Sequence, residues 1–307
     1  MDSALFSIQF LNGLQLGVLL FLLASGLTLT FGIMDLVNLA HASIYMIGAF
    51  LSAWLIITLD NFVIGVALAI PLTALVAWAL EVGIVRRLYA RDHLDHILAT
   101  FGLILCLDTL THIVFGPEGY SVPLPSWLNG QIPLFGDAVF PSYRLVIIIA
   151  GLLIAVGLYW LVNHTMLGMR IRAGASNRTM ASALGVDTRT LFTTVFVLGS
   201  VLAGFAGMLI APINGASIGM GNDIIITAFV VVIIGGLGSI KGAFVAAMLI
   251  GLIDTLGRSF LDDFFKLAMD ATTAETAAPA VSSMLIYILM AVILSLRPQG
   301  LFPQPGK

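Results

Sequence analysis

Residues 190–222 read TLFTTVFVLGSVLAGFAGMLIAPINGASIGMGN, a stretch without one ionisable side chain. A helix needs about 20 residues to cross the roughly 30 Å hydrocarbon core of a bilayer, and this run exceeds that. Segments nearly as apolar recur from one end of the chain to the other. The 307 residues are 60% hydrophobic and only 9% charged, with a mean hydropathy of +1.09, whereas soluble domains carry about 25% charged residues. The fold class is therefore all-α, a polytopic transmembrane helical bundle, and function is something done within or across a membrane.

Length bounds the architecture. At most about ten spans fit in such a chain, which leaves no room for a separate soluble catalytic domain. The net charge of −3 is small and no basic run stands out, so a nucleic-acid partner has no footprint. Cys106 is the only cysteine, which excludes an internal disulfide and a cysteine-built metal site. Met1-Asp2-Ser3 lacks the basic start of a secretory signal, and the apolar stretch after it reads as a retained first span.

Charge-poor stretches at 9–31, 36–58, 61–80, 97–115, 145–162, 191–211 and 277–296 each approach spanning length. Residues 224–257 are too long for one ordinary span and short for two, with Gly235, Gly236, Gly238, Lys241 and Gly242 interrupting the middle. Two short spans or a re-entrant hairpin fit better than one tilted helix, giving about eight or nine membrane segments, some broken or re-entrant. Arg86, Arg87 and Arg91 mark one inner loop, and Arg170, Arg172, Arg178 and Arg189 another, while 116–143 and 212–223 hold no Lys or Arg. Because positive loops stay inside, the amino terminus is expected outside and the carboxyl terminus, with Arg297 and Lys307, in the cytoplasm. The outer loop 116–143 holds five prolines with Tyr120, Trp127 and Phe135, which argues against a long helix there. It reads as a docking surface for an extracytoplasmic partner or as an interfacial aromatic loop. Residues 259–280, with Asp262, Asp263, Lys266, Asp270 and Glu275, read as a second outer segment.

Two places open an apolar run with polar residues. Pro212, Gly215, Gly219 and Gly221 lead to Asn222 and Asp223, which are expected to cap the following helix, and Asp35, Asn38 and His41 form a weaker counterpart. A helix that begins inside the membrane exposes unpaired N–H groups and the positive end of its dipole, the device by which transporters hold polar parts of a substrate. The plainer reading is a tight turn between ordinary spans. Asp108, inside the fourth span, has His112 one turn on, which would serve a proton relay or a structural hydrogen bond. Asp35, Glu81, Asp95 and Asp254 are expected at membrane boundaries, simply solvated. His93 and His96 beside Asp92 and Asp95 do not close a zinc site, and no HExxH occurs. The run GGLGSIKG at 235–242 is not a phosphate loop, since its Lys does not follow a Gly. Asn163-His164-Thr165 has the form of a glycosylation sequon but falls on the inner side, so it carries no reading.

The inner loop 163–190 runs through Leu167-Gly168-Met169-Arg170-Ile171-Arg172-Ala173 to Arg178-Thr179-Met180-Ala181-Ser182-Ala183-Leu184-Gly185-Val186-Asp187. Ser176 or Asn177 is suited to cap a short helix that Gly185 ends. A thin, small-faced helix of this kind fits a groove on another protein or rests on the membrane surface.

These two motifs, with GGLGSIKGA at 235–243 and SGLTLTFGIMDLVNLAH at 25–41, resemble the permease subunits of branched-chain amino-acid ABC importers over nearly the whole chain. The termini match the shorter, H-like permease. The resemblance implies that Arg178 to Asp187 couple to an ATPase subunit. The usual Glu of the importer motif is absent, because Thr179-Met180-Ala181 precede Gly185. It further implies a second, M-like permease, two cytoplasmic ATPases, an extracytoplasmic binding protein, a bacterial inner-membrane location, and no cofactor, metal or nucleotide site of its own. Asp35, Asn38, His41, Asn222, Asp223, Gly235, Gly236 and Gly238 are the expected pathway residues. The same importer type for urea, amides or aromatic and carboxylic acids is one alternative, and a proton-driven transporter using Asp108 and His112 is another.

Overall fold

The computed structural model describes residues 3–133, 139–266 and 270–302. Their order is α1 (Ser3–Met34), α2 (His41–Leu59), α3 (Phe62–Gly83), α4 (His93–Phe115), α5 (Ser142–His164), α6 (Met166–Ser176), α7 (Arg178–Ala183), α8 (Thr188–Asn214), α9 (Met220–Gly235), α10 (Ile240–Phe265) and α11 (Ala271–Leu296). Among the described residues, eight helices are long and apolar enough to cross a membrane: α1 to α5, α8, α10 and α11. The 16-residue α9 reaches only about 24 Å, short of a full crossing.

Burial sorts these helices into a centre and a rim. The apolar window of α1 is 89% buried and those of α2 and α8 are 72% buried, against 22% for α3 and 17% for α11. Val18 to Ala24 of α1 are sealed on every side, as expected of a helix that is hydrophobic all round. Lipid tails are as apolar as leucine, so close backbone approach has to replace the hydrophobic effect between such helices. Small residues supply it here. A β-carbon at Gly48 of α2 would collide with Gly204 of α8, and one at Gly26 of α1 with Gly199. Gly13 and Gly17 likewise let α1 lie along α10 at Gly251 and Ala247.

These contacts fix the directions. Gly32 meets Gly238 before α10, while Gly13 meets Gly251 within it, so α1 and α10 are antiparallel. α2 runs beside α8 in the same direction, with Ala53 and Ala211 in one apolar cluster. The α6–α7 elbow, the end of α1 and residues 297–302 share one face, the elbow face. The opposite, far face carries the β-hairpin β1 (Gln131–Pro133) and β2 (Val139–Pro141).

Several boundaries differ from expectation. Residues 224–257 do divide, but into the short α9 and a full-length α10 that continues to Phe265. Asp254, expected at a membrane boundary, pairs with Arg258 one turn on at 2.9 Å inside the continuing helix. Of the expected outer segment 259–280, residues 259–265 and 271–280 are helical, and Lys266 faces Glu275 at 3.6 Å. Asp262 and Asp263 fall within α10. The proline-rich loop forms the short hairpin and an isolated bridge from Tyr120 to Ala216; Phe135 lies outside the described residues.

Candidate functional site

Two helices begin inside the bundle. His41 at the start of α2 is fully buried against Gly26, about two turns inward of the end of α1 at Met34. At α9 the chain leaves the far end of α8, turns at Gly219 (φ +81°) and re-enters, with Gly219 N–H 3.3 Å from the Met46 sulfur. A β-carbon at Gly221 would strike the Ala42 carbonyl, so the two helix starts abut. Neither Ala40 nor Gly219, the respective N-caps, spends a side chain on the opening N–H groups. Asn222 and Asp223, expected as the cap, lie instead in the first turn of α9. Only glycine accepts the left-handed turn at 219 without strain, and that moves the cap one residue ahead of α9. Two uncapped, positively polarised helix ends thus converge.

The two entrances differ in their surroundings. Residues 35–40 are tied down: Leu39 N–H donates to Thr100 Oγ1 of α4 at 3.2 Å, and Asp35, in the left-handed region at φ +54°, faces His93 at 3.8 Å. Asn38 is 1% exposed, and its Oδ1 has no hydrogen-bond partner among the described residues. At the other entrance Asn222 donates to Asp108 of α4 at 3.0 Å. Asp108 thus uses Asn222 as its partner, and His112 is exposed one turn away. Asp223 lines a cavity of about 630 Å³ between α1, α2, α9, α10 and α11. Tyr45, Thr227, Tyr287 and the Asp254–Arg258 pair are among its other polar groups, while Leu16, Leu20, Ile224, Ile250 and Ile286 form apolar walls. Asp254, expected at a solvated boundary, is 8% exposed and belongs to this chamber. Among the pathway candidates, Asn38, His41, Asn222 and Asp223 gather around the entrances. Gly235, Gly236 and Gly238 lie at the other end of α9, where Leu301 and Phe302 N–H groups donate to Ile234 and Gly235 carbonyls at 2.9 and 3.1 Å.

The elbow is built by three caps. Thr165 accepts from Gly168 N–H at 3.1 Å and starts α6, a helix not expected from the sequence. Asn177 accepts from Met180 N–H at 2.9 Å and starts α7, which ends as foreseen at Gly185 (φ +87°). Asp187 accepts from Arg189 and Thr190 N–H at 3.0 and 3.3 Å and starts α8. The Thr190 hydroxyl and these N–H groups hold the Asp187 carboxyl below its usual range. Arg178 fastens α7 to the bundle: its Nε donates to the Ile33 carbonyl at 3.1 Å, and its guanidinium stands 5.5 Å from the Phe192 ring centroid. Ala181 turns inward, while Met180 and Leu184, four residues apart, project outward at 58% and 78% exposure. Thr179, Ser182 and Ala183 are exposed beside them, and Val186 is half-buried.

One cluster went unread in the sequence. Glu81 is completely buried, not solvated: Arg86 Nη2 donates to it at 2.8 Å, Tyr89 at 2.7 Å and Thr193 at 3.0 Å. With Arg86 Nε adding a fourth bond at 3.2 Å, four lone-pair directions meet four hydrogen bonds, which makes the buried carboxylate tolerable and locks α3 to the start of α8. A Glu closing an apolar helix five residues before an Arg was the available signal. The His93 and His96 rings meet edge to face at 5.7 Å, but His96 Nε2 lies 2.8 Å from the Leu88 carbonyl, and no group of three metal-ligating side chains occurs among the described residues.

Residues 9–294 match the protein family described as "Branched-chain amino acid transport system / permease component". LivH of Escherichia coli K12, a high-affinity branched-chain amino acid transport system permease protein, is 27% identical over 97% of this chain and 95% of its own length. BraD of Pseudomonas aeruginosa, similarly described, is 26% identical over 97% of this chain and 95% of its own. LivM of Escherichia coli K12 is 26% identical over 92% of this chain and 67% of its own. A family match across almost the whole chain, on a bundle that among the described residues has eight spans and the shorter α9, makes this protein a multi-pass membrane permease subunit of the branched-chain amino acid transport family.

Proposed function

We propose that this chain is the gate of an ATP-driven importer that carries branched-chain or other hydrophobic amino acids across the bacterial inner membrane. The elbow face is cytoplasmic, the amino terminus outside and the carboxyl terminus inside. A second permease, two ATPases that hydrolyse the ATP, and an extracytoplasmic binding protein complete the machine. The whole chain forms one membrane domain, and 163–190 is its coupling loop. Met180 and Leu184 enter a groove on an ATPase, with Thr179, Ser182 and Ala183 leaving room for close approach and Gly185, Val186 and Asp187 setting the exit into α8.

The observation that carries the reading is the attachment of Arg178. It links the exposed α7 to the end of α1 and to α8 at Phe192, and these are the helices that lead into α2 and α9. A push on α7 therefore reaches both internal helix starts. In the cavity, the opening N–H groups of α9 and Arg258 favour a carboxylate, Asp223 favours an ammonium group, and the apolar walls accept a branched side chain. Asn222 stands at the approach, Asn38 and His41, with Asp35 beside them, form the sealed counterpart that has to open for passage, and Gly235, Gly236 and Gly238 give the inner end of α9 its turning point.

Radiolabelled leucine uptake in proteoliposomes holding the assembled importer tests this. Uptake that needs ATP and fails in Arg178→Ala, while the ATPases keep their basal turnover, is the expected result. Uptake that ignores ATP and follows a proton gradient would sink it.

A further inference from the structure

The elbow face holds a second pair of cavities, remote from the entrances. One, of about 400 Å³, is lined by Arg172 of α6, Asn163 at the end of α5, and Ser239 and Lys241 at the start of α10. The other, also about 400 Å³, lies between α5 and α10 and is apolar, walled by Phe21, Leu152, Val156 and Phe244. Tyr159, Ile240, Lys241 and Phe302 line both, so the two are one continuous groove with a basic head and an oily tail.

Its charges are unneutralised. Lys241 Nζ sits 5.2 Å over the Tyr159 ring, and Arg172 donates to the Val162 carbonyl; no carboxylate pairs with either among the described residues. The groove also lies at headgroup depth. Tyr159 and the 61%-exposed Trp160 stand within the last turns of α5, where interfacial aromatics gather, and Val156 one turn deeper is 67% exposed to the hydrocarbon side. Two cations at the interface above an apolar slot between spans match a phosphate group joined to an acyl chain.

We infer that this groove is a binding site for an anionic phospholipid of the elbow-side leaflet, its phosphate between Arg172 and Lys241 and one acyl chain along Phe21, Leu152 and Phe244. The site fastens α5 and α6 to α10, so the bound lipid braces the elbow from the side opposite Arg178. This inference does not depend on the transported substrate.

Native mass spectrometry of the purified full-length chain, titrated with phosphatidylglycerol or phosphatidylcholine, tests it. Selective retention of phosphatidylglycerol is expected, weakened about fivefold by Arg172→Gln or Lys241→Gln and about thirtyfold by both. Ala155→Phe, which fills the apolar part, should weaken it as well, and glycerol phosphate at equal concentration should not displace it; a free-phosphate site would give the reverse on both counts. Lys241→Arg, retaining the charge, should bind as the parent does and guards against a folding artefact. Equal retention of the two lipids, binding unchanged in the double variant, or a lipid expelled when the second permease is added would each overturn the inference.

Discussion

α2 and α9 both begin inside the bundle, yet one start is sealed and the other is open. His41 and Asn38 are wholly buried, pressed among α1, α4 and α8, while Asn222 and Asp223 face α4 and a 630 Å³ chamber. The backbone device is the same at both. Its consequence depends on what surrounds it: enclosed polar groups are withheld from a ligand, and groups facing a cavity remain available to one. Glu81 belongs with the sealed kind, and Asp254 and Arg258 with the open kind.

If that division is right, variants at sealed positions should fail as folded protein and variants at open positions should fail as transporters. Glu81→Ala takes the shared acceptor from Tyr89, Thr193 and Arg86 and should lower stability, read as loss of monodisperse chain on heating in detergent. Gly48→Leu, driven into the Gly204 backbone, should cost about 3 kcal/mol by the same assay, because neither helix has a side chain to move aside. Asp223→Asn should leave the chain intact and lower leucine uptake by about 10- to 100-fold, the loss of one charge-assisted contact. A melting temperature that falls as far in Asp223→Asn as in Gly48→Leu would erase the distinction between the entrances. Asn222→Ala, at the open entrance, releases Asp108 and should lower leucine uptake with a stability cost of no more than about 1 kcal/mol.

The smallest effect is at the elbow. The carboxyl of Asp187 is held below its ordinary value of 3.8 in the folded chain, so its contribution is complete above the unfolded value and is lost as pH falls through the folded one. The protection of the amides at 188–191, taken relative to their intrinsic exchange rates at each pH, should therefore fall below about pH 4 and stay flat between pH 5 and 8. In Asp187→Ala the same amides should exchange fast throughout.

The elbow was the most legible part of the molecule because capping is local. Asn177, Gly185 and Asp187 act on N–H groups or turns within three residues of themselves, and the short helix appears where they place it. Asp254 was misread for the complementary reason. Its partner Arg258 is local, but whether that pair meets water or closes a chamber depends on α1, α2, α9 and α11. Glu81 likewise owes its burial to Thr193, far along the chain.

Apolar length was enough to bound the membrane segments at about eight or nine, and the glycines, prolines and polar residues at 35–41 and 212–223, with the capping residues of 163–190, marked the breaks and the elbow. Each of those properties is set by transfer of side chains out of water and by backbone hydrogen bonds a few residues apart. Only the packed bundle decided that the starts of α2 and α9 touch, that one is closed and the other opens on a cavity, and that a basic groove runs between α5 and α10. Those outcomes depend on glycine contacts such as Gly26 on Gly199 and Gly221 on Ala42, which join residues more than a hundred positions apart and have no counterpart in local sequence pattern.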